Sequence, residues 1–186
     1  DEESLLPILE NAKTQAPSVC NALDTILLHE KQQNKLLPKI INHLVELGIE
    51  MRIQPKLFQK AKKINPSKLI KKASEEDWGQ EYLNLIVSLK AVPSIESAIK
   101  HIDRHSYGHT DGIISNIVKN QKIFTEKVNS SAVTVNASTR FNDGGELGLG
   151  AEIAVSTTKV SPRGPLGLNE ITSYKWIIEG KGHIRS

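Results

Sequence analysis

Leu83 to Val92 is a nearly continuous apolar run of strand length, and Ser94 to His105 follows it with Ile95, Ala98, Ile99 and Ile102 at helical spacing. A run of this kind suits a strand covered on both faces of a parallel sheet. The alternation repeats, with a strand over Gly112 to Ser115, a helix near Val118 to Val128 and a strand over Ala132 to Asn136. Strands separated by helices of this length imply right-handed crossovers, so the pattern restricts the chain to an α/β fold: a layered, mostly parallel sheet with flanking helices. Earlier, Leu23, Ile26 and Leu27, then Leu36, Leu37, Ile40, Ile41, Leu44 and Leu47, predict two helices from Ser18 to a stop at Gly48, with Pro38 in the first turn of the second. Ile49 to Ile53 alternates as a short strand, and Pro55 to Lys72 is weakly helical with a break at Asn65-Pro66. Tyr174 to Ile178, with the turn Glu179-Gly180-Lys181-Gly182, reads as a two-stranded ribbon.

At 186 residues, 38% apolar and 24% charged, the chain has material for one main domain, without repeats or low-complexity segments. The net charge of +3 is small. Lys60, Lys62, Lys63, Lys68, Lys71 and Lys72 lack interleaved aromatics, which reads as a solvated helical face and not a nucleic-acid patch. A single cysteine cannot form an internal disulfide, and neither a membrane-length apolar run nor a signal peptide is visible. These features lead to an expectation of a reducing cytoplasm, a small-molecule substrate and no membrane partner.

That cysteine, Cys20, follows Pro17-Ser18 at the head of the expected helical repeat. A thiol in a first helical turn is made acidic by the helix dipole and by unpaired N–H groups, which suits a nucleophile. The competing reading is a buried small hydrophobe.

The segment Asn11 to Glu30 resembles the active-site segment of the gamma-glutamyl phosphate reductase family, also called glutamate-5-semialdehyde dehydrogenase, within the aldehyde dehydrogenase superfamily. The resemblance continues through Glu76-Asp77-Trp78-Gly79-Gln80-Glu81-Tyr82-Leu83, Gly108-His109-Thr110-Asp111, Val135 to Phe141, Asp143 to Glu152, Arg163 to Leu168 and Tyr174-Lys175. One departure is His105-Ser106-Tyr107, where the family usually has small residues.

The resemblance implies that Cys20 is the catalytic nucleophile, displacing phosphate from gamma-glutamyl phosphate to give a thioester that an NADPH hydride reduces, a step of proline synthesis. It places Glu81 where the superfamily binds the ribose beside the nicotinamide, against a plain exposed acid at a strand start. Arg140 directly follows an expected strand, where ligand crevices of α/β sheets open, and its planar fork suits a carboxylate or phosphate. The alternative for Arg140 is an ion pair with Asp143 or Glu146. Asn136, Ser138 and Thr139 are candidates for the same anion, and His109 for phosphate binding or proton relay. His101, His105 and His109 stand four residues apart, but the last falls in an expected loop, so no metal site is expected.

The glycines of Gly144 to Gly150 have the wrong spacing for a dinucleotide fingerprint. With a start at Asp1-Glu2-Glu3 lacking methionine, the expectation is a catalytic region whose cofactor-binding half lies upstream. The expected division is a nucleophile-bearing domain over 1–168 and an oligomerisation ribbon over 169–186, in a homo-oligomer. The reductase portion of a bifunctional glutamate kinase/reductase and a non-catalytic dimerising module are the alternatives.

Overall fold

A computed structural model describes residues 2–186. Helix α1 (Glu2–Thr14) lies outside the elements read from the sequence. It buries Leu9 and Ala12, and its last turn carries Lys13, whose wholly buried ammonium pairs with Asp24 at 3.1 Å. Burial holds the Lys13 pKa below its ordinary value, against the pull of Asp24. The pair ties the end of α1 to the chain just before the first strand.

Residues 18–28 depart from the expected helix. Thr25–His29 is strand β1, along which Ile26 and Leu28 are buried and their neighbours half-buried. Leu23, Ile26 and Leu27 satisfy helical spacing, but a run this short does not decide the period. Parallel pairing with β4 (Ile86–Val92) gives these residues interstrand hydrogen bonds, whereas a helix so short is marginal by itself.

A 3-10 turn, Glu30–Gln32, leads into α2 (Gln33–Glu46), so Pro38 lies inside the helix and not in its first turn. Leu37, Ile41 and Leu44 are fully buried on its inner face. Gly48 follows the helix at φ +73°, the left-handed conformation that a side chain would strain. Next come β2 (Glu50–Ile53), α3 (Pro55–Ile64), which begins on a proline, and β3 (Ile70–Lys72).

The main sheet has the order β1-β4-β2-β3, with every neighbouring pair parallel. β4 runs through its interior, and Val87, Ser88 and Leu89 are fully buried, as the apolar run requires. Helix α4 (Ile95–His105) starts at Ser94, whose Oγ accepts the Ser97 N–H at 3.2 Å. Strand β5 (Thr110–Ile113), helix α5 (Val118–Lys127) and strand β6 (Ala132–Val135) complete the alternation. β5 and β6 pair in parallel as a second sheet, and Ile99, Phe124 and Val128 form a smaller core beside it.

The expected ribbon at Tyr174 to Ile178 is absent. Residues 172–186 contain no strand, and Tyr174, Trp176, Ile177 and Ile178 are exposed. A two-stranded ribbon with nothing packed on it gains too little to hold its register. The antiparallel pair lies earlier, between β7 (Ala154–Ser156) and β8 (Gly164–Leu166), followed by the single turn α6 (Leu168–Ile171). Among the described residues no helix is long and apolar enough to cross a membrane.

Candidate active site

Cys20 is not in a helix. α1 ends at Thr14, and the thiol stands in the connection to β1, turned by Val19 N–H to Ala16 O at 3.4 Å and Ala22 N–H to Val19 O at 3.0 Å. Leu23 N–H to Ala12 O, at 2.9 Å, closes the loop onto α1. The thiol is exposed. Its pKa is raised: partial burial pushes it up, its own backbone N–H opposes this, the Glu152 and Glu81 carboxylates raise it further, and Arg140 lowers it. The expected activation by a helix N-terminus is thus overturned, because the chain after Cys20 enters a strand.

The same electrostatic neighbours surround His109. It is half-buried, and burial lowers its pKa against the opposing pull of Glu152, Glu81 and Asp111. Its Nδ1 lies 2.7 Å from Thr110 Oγ1, which also accepts Asn142 Nδ2 at 2.8 Å. The Thr110 hydroxyl can donate to Nδ1 or accept from it, so this contact fixes the ring's orientation and leaves both tautomers open. The His109 Nε2 is buried without a hydrogen-bond partner.

Arg140 lies in a 3-10 turn, Thr139–Phe141, capped by Ser138 Oγ. Its guanidinium donates to the side chains of Asn21 and Gln15, and no carboxylate among the described residues pairs with it. Asp143 is occupied elsewhere, accepting the Gly145 and Glu146 N–H groups. Thr139 Oγ1 donates to Asn21 O at 2.6 Å, and Asn21 Nδ2 donates to Asn142 O at 3.0 Å. The 139–142 turn thus grips the residue next to the thiol from both its backbone and its side chain.

The other two candidates in this stretch have structural partners. Asn136, at φ +52°, accepts Ser115 N–H and donates to Ser115 O, bracing the ends of β5 and β6. Ser138 is buried, with its Oγ on the Arg140 N–H. Glu81 precedes β4, is exposed, and has no hydrogen-bond or ion-pair partner for its carboxylate among the described residues.

Cys20, Glu81, His109 and Thr139 line one cleft of about 780 Å³. Tyr107, at the family departure, is exposed on its wall. Cys20, Glu81 and His109 precede β1, β4 and β5, whereas His29, Val92 and Ser115, at or just past the carboxyl ends of the same strands, line the same cleft, so it runs along the strands from one end to the other. Arg140 does not itself line the cleft; its neighbour Thr139 does, and the Thr139 bond to Asn21 O holds this turn against the thiol segment. Sequence reasoning gave no role to Glu152 or Asn21. Glu152 Oε2 accepts the Gly144 N–H at 2.8 Å, and a Cβ on Gly144 would meet Glu152 Cβ at 2.8 Å, so the glycine admits the carboxylate. No three His, Cys, Asp or Glu side chains among the described residues group as metal ligands.

No protein-family model matches the chain. A propionaldehyde dehydrogenase from Clostridium phytofermentans superposes on 90% of it with a TM-score of 0.61 at 13% identity, a likeness of fold alone. The architecture is that of the aldehyde dehydrogenase fold. Within that class, the gamma-glutamyl phosphate reductase of Thermotoga maritima covers the whole chain with a TM-score of 0.88 at 42% identity, the chain matching 44% of it. The Roseiflexus castenholzii reductase is 47% identical over 189 residues, and that of Clostridium botulinum (strain Alaska E43) is 48% identical over 178. The chain belongs to the gamma-glutamyl phosphate reductase family, and it spans 44% and 42% of the length of these two relatives.

Proposed function

We propose that this chain supplies the thiol-bearing active site of a reductase that converts gamma-glutamyl phosphate and NADPH to glutamate-5-semialdehyde and phosphate, in proline synthesis in the cytoplasm. The observation that carries the reading is the convergence of the exposed Cys20 with Glu81 and His109 in one cleft, in a chain similar over its full length to such reductases.

Cys20 attacks the acyl carbon as thiolate, the bond from carbon to the phosphate oxygen breaks, and phosphate departs, leaving a thioester on Sγ; when hydride adds to that carbon, its bond to Sγ breaks, giving the aldehyde and the free thiolate. Sulfur donates weakly into the carbonyl, so that carbon stays electrophilic. The nicotinamide cofactor, when bound, supplies the hydride. Of this chain's residues, Glu81 suits the cofactor: its unpaired, exposed carboxylate can accept both hydroxyls of a ribose. Burial is the first cause of the raised Cys20 pKa and Glu81 adds to it after Glu152, so engaging Glu81 with hydroxyls removes only a lesser part of the opposition to the thiolate. His109, whose Nε2 has no hydrogen-bond partner, serves in its Nε2-protonated form as a donor for the departing phosphate. Arg140 holds Asn21 and adds positive charge opposite an anionic substrate. The exposed apolar residues of segment 169–186 suit burial in a homo-oligomer.

A chimera tests the reading, with this chain replacing the matching segment of the Thermotoga maritima reductase. It is expected to consume NADPH and release phosphate in equal amounts from gamma-glutamyl phosphate. NADPH consumption without phosphate release would contradict the assignment, as would a folded chimera without turnover.

A further inference from the structure

Beside the cleft, Lys90 of β4 and Ser97, Lys100, His101, Arg104 and His105 of α4 line a pocket of about 400 Å³. His101 and His105 form a wall shared with the cleft, whereas Cys20, Glu81 and Arg140 do not line the pocket. Lys90 is half-buried with its ammonium 4.9 Å from the Trp78 ring centroid and 3.1 Å from His101 Nδ1. An ammonium only donates, so Nδ1 accepts and the imidazole proton sits on Nε2. That Nε2–H is buried without an acceptor, on a side chain only 8% exposed. Trp78 meets the same ring edge-on at 5.7 Å, and His105 lies against it at 4.5 Å.

Counter-charges face elsewhere. Glu96 at the head of α4 accepts hydrogen bonds from its own backbone N–H and from Ser94, and neither it nor Asp103 lines the pocket. Among the described residues no carboxylate pairs with Lys90, Lys100 or Arg104. Concentrating three cations around a neutral histidine costs energy by repulsion, and an anion of more than one charge relieves it. A guanidinium fork and two ammonium groups match phosphate oxygens, and the pocket has room for a substituent beyond the phosphate itself.

We propose that this pocket binds the phosphate group of a small phosphorylated molecule, between Lys90 on the strand and Lys100 and Arg104 on the helix. The assignment does not depend on the thiol chemistry.

The test follows the His101 and His105 imidazole signals by NMR in the 186-residue chain at constant ionic strength, titrated with inorganic phosphate or with glycerol phosphate. Both probes are expected to give saturable shifts, with glycerol phosphate the tighter, and to move protonation of His101 to higher pH. That midpoint starts low, at about 4, because of burial first and then Lys90, His105 and Arg104. Lys100→Glu with Arg104→Glu, at two exposed positions, should leave the fold intact and weaken both probes by about tenfold or more. Shifts that do not saturate, or that chloride reproduces, would overturn the site. So would affinity unchanged in the folded double variant, and binding of inorganic phosphate with exclusion of glycerol phosphate would overturn the carried-phosphate assignment.

Discussion

Cys20 rests as a thiol, and its neighbours decide how readily it ionises. Burial and the carboxylates of Glu152 and Glu81 hold its pKa up, so alkylation by iodoacetamide at pH 7 should be slower than that of a free model thiol and should climb at higher pH. Glu152→Gln removes one negative charge and should raise the neutral-pH rate a few-fold. A rate that is unchanged or lower would mean that Glu152 does not act on the thiol. Arg140→Lys keeps a positive charge but cannot reach Asn21 and Gln15 together, so in the chimeric reductase kcat/KM should fall about thirtyfold, roughly 2 kcal/mol, with little change in melting temperature. A sharp drop in melting temperature with kcat/KM retained would make Arg140 a stabilising tie alone. At this scale the sequence conveyed residue identity better than environment. The family motifs that carry Cys20, Glu81, His109 and Arg140 carry Asn21 and Glu152 as well, but the contact of Asn21 with Arg140 spans more than a hundred residues and Glu152 acts on the thiol through proximity in space, which spacing does not encode.

Between Ile86 and Val135, β4 and α4 were legible because each is long or strongly periodic for its type, whereas the four-residue β5 lies two residues before the strand expected at Gly112 to Ser115. β4 is apolar almost throughout, and α4 places Ile95, Ile99 and Ile102 along one face. β1 was not legible, since Leu23, Ile26 and Leu27 satisfy a helical period over a span too short to exclude it; only the pairing with β4 decides. The two periods make opposite demands. In the strand, Leu28 is buried and Leu27 half-buried, so Leu28→Ala should cost about 2–4 kcal/mol in urea unfolding and Leu27→Ala clearly less. The reverse order would restore the helix. The terminal ribbon failed for a related reason: its apolar run and glycine turn are present in the sequence, but its apolar side chains are exposed, with nothing packed on them among the described residues.

For the whole molecule, histidines buried as neutral rings make stability depend on pH. His101, with a folded pKa of about 4 against an ordinary 6.5, and His109, also lowered, bind fewer protons folded than unfolded. Stability is therefore greatest above the unfolded value and is lost as pH falls from about 6.5 towards 4. For His101 the loss is on the order of 2–3 kcal/mol, allowing for residual exposure. Urea unfolding at pH 7 and pH 5 should show this slope, and His101→Gln should flatten it; an equal slope in the variant would assign the dependence to other groups. The chain's topology gathers loops from before β1, β4 and β5 around one thiol, and the central claim is that this thiol carries the acyl group. The direct measurement is intact-protein mass spectrometry of the chimeric reductase mixed with gamma-glutamyl phosphate in the absence of cofactor. The account predicts a glutamyl adduct on Cys20, sensitive to hydroxylamine and missing from the folded Cys20→Ser chimera. An adduct that persists in Cys20→Ser, or phosphate released with NADPH by that variant at the native rate, would contradict it.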